Sequence, residues 1–242
     1  MGRVTVVGGC RAKAPSTGIL ASTLPVGSIV KLMENGTAVE YLVVNQGIPS
    51  NSDLYDASCN GTWLLRKDIH SNRQWNTSNV NKYESSAINT WLNGDFFNSL
   101  GSVEQATIKQ VKIPYRAGGS GGTDQSGANG LSCKVFLLSG YEVGWTTNYN
   151  QYFPQEGARL SYFEAGTGTT ANNKRIANLN GTAASWWLRS PYTSRTDYVW
   201  LVHSGGDYDY GGASYPGGVR PALVLPSNAL FDKTTMLLKG VA

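Results

Sequence analysis

Ile88, Trp91, Leu92, Phe96 and Leu100 recur at spacings of three and four residues, which places them on one face of a helix over about 85–100. This is the best helical pattern in the chain, and Ser85 or Ser86 can cap its start. A second, shorter helix is expected from Ser102, with Gln105 as its capping-box partner. Ile108, Val111 and Ile113 continue that apolar pattern until Pro114 ends it. Other apolar stretches are short and closed by turn residues. Residues 28–33 and 37–44 flank Glu34-Asn35-Gly36, a strong hairpin signal because Asn and Gly both tolerate positive φ. Residues 62–66 and 134–138 are expected strands, as are 185–190, 198–204 and 219–225. An early hairpin, middle helices, long loops and a terminal meander together predict an α+β fold with short antiparallel strands and two helices.

Domain organisation follows from composition. Residues 1–24 read as an N-terminal appendage or linker, with a short strand at 4–7, and residues 25–242 as one domain. A chain of 242 residues buries roughly 70% of its unfolded surface, so neither a disulfide nor a metal is required for stability. Aromatic residues make up 11% of the chain and charged residues only 15%. That balance favours a loop-rich fold over a helical bundle. The net charge of +4 is scattered without a basic run, so nucleic acid is not an expected partner. No stretch is apolar and long enough for membrane insertion, and the N-terminus carries no secretory signal pattern.

Catalytic and metal chemistry find little support. Cys10, Cys59 and Cys133 form no CxxC pair and read as indifferent thiols. His70 and His203 are isolated, and neither sits in a nucleophile-elbow motif. Gly118-Gly119-Ser120-Gly121-Gly122 lacks the Lys-Ser/Thr of a phosphate cradle, so 117–129 is expected to be a flexible loop. Residues 140–145 read as a turn-rich connection and 166–173 as another polar loop. Asp207-Tyr208-Asp209-Tyr210-Gly211-Gly212 lacks the oxygens that would close a calcium shell, and reads as a loop with two exposed acids. No metal, no cofactor and no catalytic residue is assigned, and the chain is expected not to be an enzyme.

The informative segment lies near the C-terminus. Trp186-Trp187-Leu188-Arg189-Ser190-Pro191 and Gly218-Val219-Arg220-Pro221-Ala222-Leu223 look like core strands, with a buried ion pair expected for Arg189 and Arg220. Between them, 192–218 holds five tyrosines among Asp, Ser, Thr and Gly, a mixture that antibody-like recognition surfaces favour. Strand alternation sends Trp200 and Val202 inward, and Leu201 and His203 outward. Asn is frequent through Asn180 and then missing until Asn228, and the tract contains no Lys, Glu, Gln or Met. Rewriting AAC codons at adenine yields Tyr, Asp, Ser, Thr, His, Arg, Gly, Leu or Pro, but not Lys, Glu, Gln, Met or Trp.

The two bracketing motifs resemble the C-terminal signature of variable proteins of diversity-generating retroelements in bacteria and phages. Tyr141-Glu142-Val143-Gly144-Trp145 and Leu160-Ser161-Tyr162-Phe163 add to the resemblance, which spans about 24–226. It implies a C-type-lectin-like fold related to the formylglycine-generating enzyme, with a variable region at about 186–222. By that resemblance the ligand-binding positions, clustered on one exposed face, are Tyr192, Ser194, Arg195, Thr196, Asp197, Tyr198, Leu201, His203, Asp207, Tyr208, Asp209, Tyr210, Ser214 and Tyr215. Val199, Trp200, Val202 and Val219 would be scaffold, and the enzyme's catalytic cysteine pair has no match. The implied role is a receptor-binding or adhesion protein on a phage tail or bacterial surface. Its partner would be a host-surface protein or glycan, with the oligomeric state open. Two alternatives are a lectin with a fixed site using calcium through Asp207 and Asp209, and an enzyme of the formylglycine-generating type.

Overall fold

The structure is a computed structural model and describes residues 18–50 and 52–242. It is a strand-rich α+β fold whose core lies around two five-stranded sheets. The first sheet is antiparallel, in the order Val135–Phe136, Ala222–Leu225, Thr62–Arg66, Thr37–Gln46, Ile29–Glu34. Its hairpin turns at Asn35 (φ 47°) and Gly36 (φ 78°), the double left-handed turn that the Asn-Gly pair predicts. The second sheet runs Tyr208–Gly212, Tyr198–Val202, Trp186–Pro191, Pro216–Val219, Ser71–Gln74, with one parallel pairing, between Trp186–Pro191 and Pro216–Val219.

Trp186 and Trp187 point to opposite faces of the central strand, and both are buried. Trp186 donates its indole N–H to Arg175 O at 3.0 Å, and Trp187 donates to Arg73 O at 3.1 Å. The Trp187 ring lies across neighbouring strands because glycines leave room for it. A Cβ on Gly217 would stand 2.5 Å from its Nε1, and one on Gly211 would stand 2.9 Å from its far edge.

The helical expectation over 85–100 meets a continuous helical segment, Ala87–Trp91, Leu92–Phe96 and Phe97–Ser99, with π-type bonding in its middle section. Ser86 Oγ accepts from Asn89 N at 3.2 Å and caps its start, while Ile88, Leu92 and Phe96 are buried. The second helix, Ser102–Thr107, forms without the expected capping box. Gln105 instead donates from Nε2 back to Leu100 O. Its pattern also stops earlier than expected, since Val111–Ile113 is a strand paired with Leu131–Cys133.

Five further expectations are corrected. Residues 18–24 are part of the domain: Ile19–Leu20 pairs with Ala229–Phe231, and Ala21 and Leu24 are buried. The strand expected at 4–7, and Cys10, lie outside the described residues. The glycine-rich segment is not a loose loop, because Gly119–Gly121 forms a tight turn with Gly119 and Ser120 buried. Arg116 fixes that turn by donating to Gly119 O and Ser120 O. Thr169–Asn173 is a short helix in the expected polar loop. Tyr208–Gly212 is an edge strand in the expected acidic loop, and 219–225 is divided between two sheets.

Arg189 lies wholly inside, and each of its five N–H groups has an acceptor. It grips Glu142 in a two-pronged ion pair (2.6 and 2.8 Å) and donates to Pro114 O, Leu137 O and Glu156 O. Burial opposes its charge, but the charge and hydrogen bonds of Glu142 outweigh burial and hold it above its ordinary pKa. Arg220 does not form the expected ion pair. It donates to Arg66 O and Lys67 O, lies 5.0 Å above the Trp186 ring, and leaves Nη1 without a partner among the described residues. Burial pushes it down to about 10.

Glu156 is also buried, accepting from Ser190 Oγ and from Arg116 N at 2.8 Å. Burial raises its carboxyl from 4.5 to about 7, against the pull of Arg189. An acid raised by folding binds its proton more tightly in the folded state. Its stabilising contribution is therefore full below 4.5 and is lost as pH rises through about 7. Glu156→Gln keeps one of the two acceptor oxygens and removes the titration. Its thermal midpoint should accordingly fall less than that of the unsubstituted protein between about pH 5 and about pH 8. Glu142→Gln, by contrast, leaves Arg189 charged and unpaired, and urea unfolding should show a loss of about 3–5 kcal/mol.

Candidate functional site

The Trp186–Pro191 strand leads directly into the tyrosine-rich tract, and its register with the neighbouring strands decides where each side chain points. Trp200 pairs with Tyr210 and Val202 with Tyr208, whereas Leu201 pairs with Asp209. Paired residues share a face, so Tyr198, Trp200, Tyr208 and Tyr210 lie on one face and Leu201 and Asp209 on the other. Trp200 and Val202 are buried, Leu201 is half-buried and His203 is exposed, in line with the alternation expected for this strand.

Rings form a ladder from the core to the surface on the tyrosine face. The buried Arg175 guanidinium lies 4.2 Å over Trp145, which stacks on Phe153 at 6.2 Å. Phe153 stacks on Trp200 at 4.0 Å, Trp200 on Tyr192 at 4.8 Å, and Tyr192 meets Tyr152 at 4.9 Å. Tyr210 stands across Tyr192 and stacks on Tyr198 at 5.3 Å. Tyr152, Tyr192, Ser194, Arg195, Tyr198 and Tyr210 line an open cavity of about 200 Å³ at the top of this ladder. The outer tyrosines thus rest on rings that cannot move without disturbing the core.

One buried side chain fixes the loop above the ladder. Asn81 donates from Nδ2 to Arg195 O and Tyr198 O, both at 2.7 Å, and more weakly to Tyr192 O. Its backbone N–H donates to Thr196 O, and its Oδ1 accepts from Ser120 N at 3.1 Å. Gly119 permits this approach, since a Cβ there would stand 2.5 Å from Asn81 Oδ1. Within the loop Arg195 chelates Asp197 at 2.9 and 3.1 Å and covers the Tyr198 ring at 4.4 Å. That pairing raises Arg195 and lowers Asp197 from their ordinary values.

The fourteen expected positions do not share one face, and only five of them meet at the cavity: Tyr192, Ser194, Arg195, Tyr198 and Tyr210. Thr196 and Asp197 belong to the same loop. Leu201 and Asp209 lie on the opposite face. His203 and Asp207 close the hairpin between the two strands, with His203 N donating to Asp207 O. Tyr208 is half-buried, edge-on to Trp145, Phe153 and Trp200, which makes it as much scaffold as surface. Ser214 bonds Asn79 Oδ1, and Tyr215 is 68% exposed on the turn after Gly212.

Three contributors were not marked by the sequence. Tyr152 lies in an irregular segment, Asn81 among many other asparagines, and Arg175 in a polar stretch. Arg175 has all its N–H groups bonded to Val143 O, Asn172 Oδ1, Gly206 O, Glu164 O and Gly166 O, with no carboxylate among them, and burial lowers it to about 10.

The residues weighed for catalysis sit elsewhere. Cys59 and Cys133 are buried, and each thiol faces a backbone carbonyl. Burial pushes Cys59 up to about 12 and Cys133 higher still, so neither carries appreciable thiolate at neutral pH. His70 packs edge-on to Trp91 and Phe96, and burial lowers its pKa. Among the described residues, no three His, Cys, Asp or Glu side chains converge as a metal site would need.

A family model described as "Domain of unknown function (DUF6273)" matches residues 60–227, most of the chain. The chain belongs to the DUF6273 family. No match was found among curated proteins or among solved structures. The DUF6273 region contains Arg189, Glu142, Asn81 and the whole tyrosine tract, and it excludes the Asn-Gly hairpin. Asn81→Ala removes three side-chain hydrogen bonds to the loop and leaves Arg195 O without its donor. It should cost about 2–3 kcal/mol in chemical unfolding and speed hydrogen exchange at 194–197 relative to the rest of the DUF6273 domain.

Proposed function

We propose that this protein is a non-enzymatic ligand-binding module that presents a changeable tyrosine-rich surface on a fixed scaffold. The observation that carries the proposal is the ring ladder from Trp145 to Tyr192 and Tyr152, with Tyr198 and Tyr210 beside it. Tyrosine offers a large amphipathic contact area with little conformational freedom to lose on binding. Rings held from below lose still less, and pre-organisation of this kind converts contact area into affinity. The serine, arginine and threonine of the loop supply adaptable polar groups at its rim.

The same reading takes the fold to be C-type-lectin-like, and the protein to be a variable protein of a diversity-generating retroelement. Short, mostly antiparallel strands, a few short helical segments and the long connection between Phe136 and Thr169 support the fold assignment. The diversification reading is supported by the bracketing motifs and the adenine-compatible composition of 192–218. It assigns the protein to a phage tail or bacterial surface, where it would contact a host-surface protein or glycan. The outward loop of Ser194, Arg195 and Thr196 is the part most free to change, because Asn81 holds it through backbone carbonyls and not through its side chains.

Two experiments test the reading. The gene's surroundings should contain a reverse transcriptase and an imperfect repeat of the codons for 186–222. A complete genome with neither would end the diversification proposal. In binding to intact host cells, Tyr210→Ala with Arg195→Ala should reduce capture at least about tenfold, the expected behaviour of central anchor residues. The double variant should keep the thermal midpoint close to that of the parent. Tyr208→Ala should lower the midpoint instead, at a cost of about 1–3 kcal/mol, because its ring is half-buried against Trp145, Phe153 and Trp200, whereas Tyr210 is 46% exposed. Unchanged capture by the double variant would remove the tyrosine surface from the binding function.

A further inference from the structure

The sheet that carries the tyrosines at one edge ends at its other edge in Ser71–Gln74. Beyond that strand, against the start of the Ala87–Trp91 helix, lies a cavity of about 340 Å³ lined by Asn72, Arg73, Gln74, Thr77, Ile88 and Trp91. A smaller cavity of about 220 Å³ continues past Arg73 and Trp91 toward His70 and Asp95. Apart from Arg73 and Trp91, none of these residues is common to the two cavities, and none belongs to the tyrosine surface.

Arg73 stands between the cavities with its guanidinium 3.9 Å from the centre of the Trp91 ring. It takes part in none of the ion pairs formed among the described residues. Arg189 and Arg175, in the same protein, have every N–H satisfied. Stacking on an indole fixes the plane of a guanidinium while leaving its N–H fork directed outward, which suits a planar carboxylate. The larger cavity has no acidic residue on its walls, since Asp95 lines only the smaller one. Its remaining walls are the amides and hydroxyl of Asn72, Gln74 and Thr77 beside apolar Ala87, Trp91 and the buried Ile88. Gln74 commits Nε2 to Ser214 O, which leaves Oε1 to accept from a hydroxyl.

We propose that this groove is a second binding site, built for a sugar that carries a carboxylate. Arg73 takes the carboxylate, while Asn72, Gln74 and Thr77 exchange hydrogen bonds with ring hydroxyls. The sugar's C–H face lies against Ala87 and Trp91. The pairing is chemical: sugar hydroxyls both donate and accept, as amides and threonine hydroxyls do. The site is independent of the tyrosine surface, so either assignment can fail alone.

Isothermal titration with glucuronic acid tests the proposal, with glucose, acetate and the peptide Gly-Glu-Gly as comparators. Glucuronic acid should bind with Kd on the order of millimolar, at least about tenfold tighter than each comparator. Arg73→Gln should weaken it at least about tenfold, and Thr77→Val severalfold, with thermal midpoints unchanged because Arg73 is exposed. Tyr210→Ala should leave it unaltered. Three results would overturn the site: no heat at about 50 mM ligand, full binding by Arg73→Gln, or loss through Tyr210→Ala. Equal binding of acetate or Gly-Glu-Gly would show that the groove reads only a carboxylate, and would overturn the sugar assignment.

Discussion

The buried pair of Arg189 and Glu142 is the interaction on which the rest of the architecture depends. Between Phe136 and Thr169 the chain has almost no regular structure, so it cannot be held by strand or helix hydrogen bonds. Arg189 replaces them, reaching Leu137, Glu142 and Glu156 in that connection and Pro114 beside it. Tyr55 adds to the same knot, with its hydroxyl 3.2 Å from Glu142 and accepting from Ala158 N at 3.0 Å. A buried ion pair often adds little net stability compared with an apolar replacement. Here it supplies register. Five directional bonds from one planar group define how an irregular segment lies against the central strand.

That registration carries through to the surface. The irregular connection contains Trp145, Phe153 and Tyr152, the lower rungs and the far end of the ring ladder, while Trp200 and Tyr192 come from the sheet side. Fixing the connection against the Trp186–Pro191 strand therefore brings the two halves of the ladder into contact. Arg175 works from the opposite end, tying Val143, Glu164 and Gly166 to the hairpin at Gly206 beneath Trp145. Neither arginine contacts the outer cavity, yet both determine where its tyrosines stand. Side chains at the rim can change chemistry without disturbing this support, because the support is made of rings below and backbone carbonyls behind.

Much of this was legible in the sequence wherever the cause was local. Asn35-Gly36 dictates its turn, and Ile88, Leu92 and Phe96 dictate their helix face, because each depends on a few neighbouring residues. The alternation of Trp200 and Leu201 followed from strand geometry alone. What failed depended on partners distant in sequence. The Gly118–Gly122 segment resembles a flexible linker in composition, but Glu84 and Asn81 order it from far away in the chain, with Arg116 adding bonds from beside it. Asp and Gly concealed the Tyr208–Gly212 strand, which exists because Tyr198–Val202 offers it an edge. The resemblance assigns positions without regard to sheet face, so it groups Leu201 and Asp209 with tyrosines that point the other way. Asn81, which holds the loop, is indistinguishable by sequence from the asparagines around it.

The opposite edges of the second sheet face different physical demands. At the tyrosine edge the outer strand, Tyr208–Gly212, has no further strand beside it among the described residues, and its exposed Tyr210 rests on the Tyr198 ring. At the Ser71–Gln74 edge a helix lies alongside, and the groove between strand and helix is lined by side chains from both. A change of residue at the first edge alters a surface. A change at the second alters a pocket whose depth depends on the helix staying where Ser86 and Trp75 hold it, through Asn89 N to Ser86 Oγ and Ile88 N to Trp75 O. Trp187 lies between these edges, its indole N–H on Arg73 O and its ring against the backbone at Gly211. Any larger residue at Gly211 or Gly217 would push on that ring, so these two positions are fixed by the packing of Trp187.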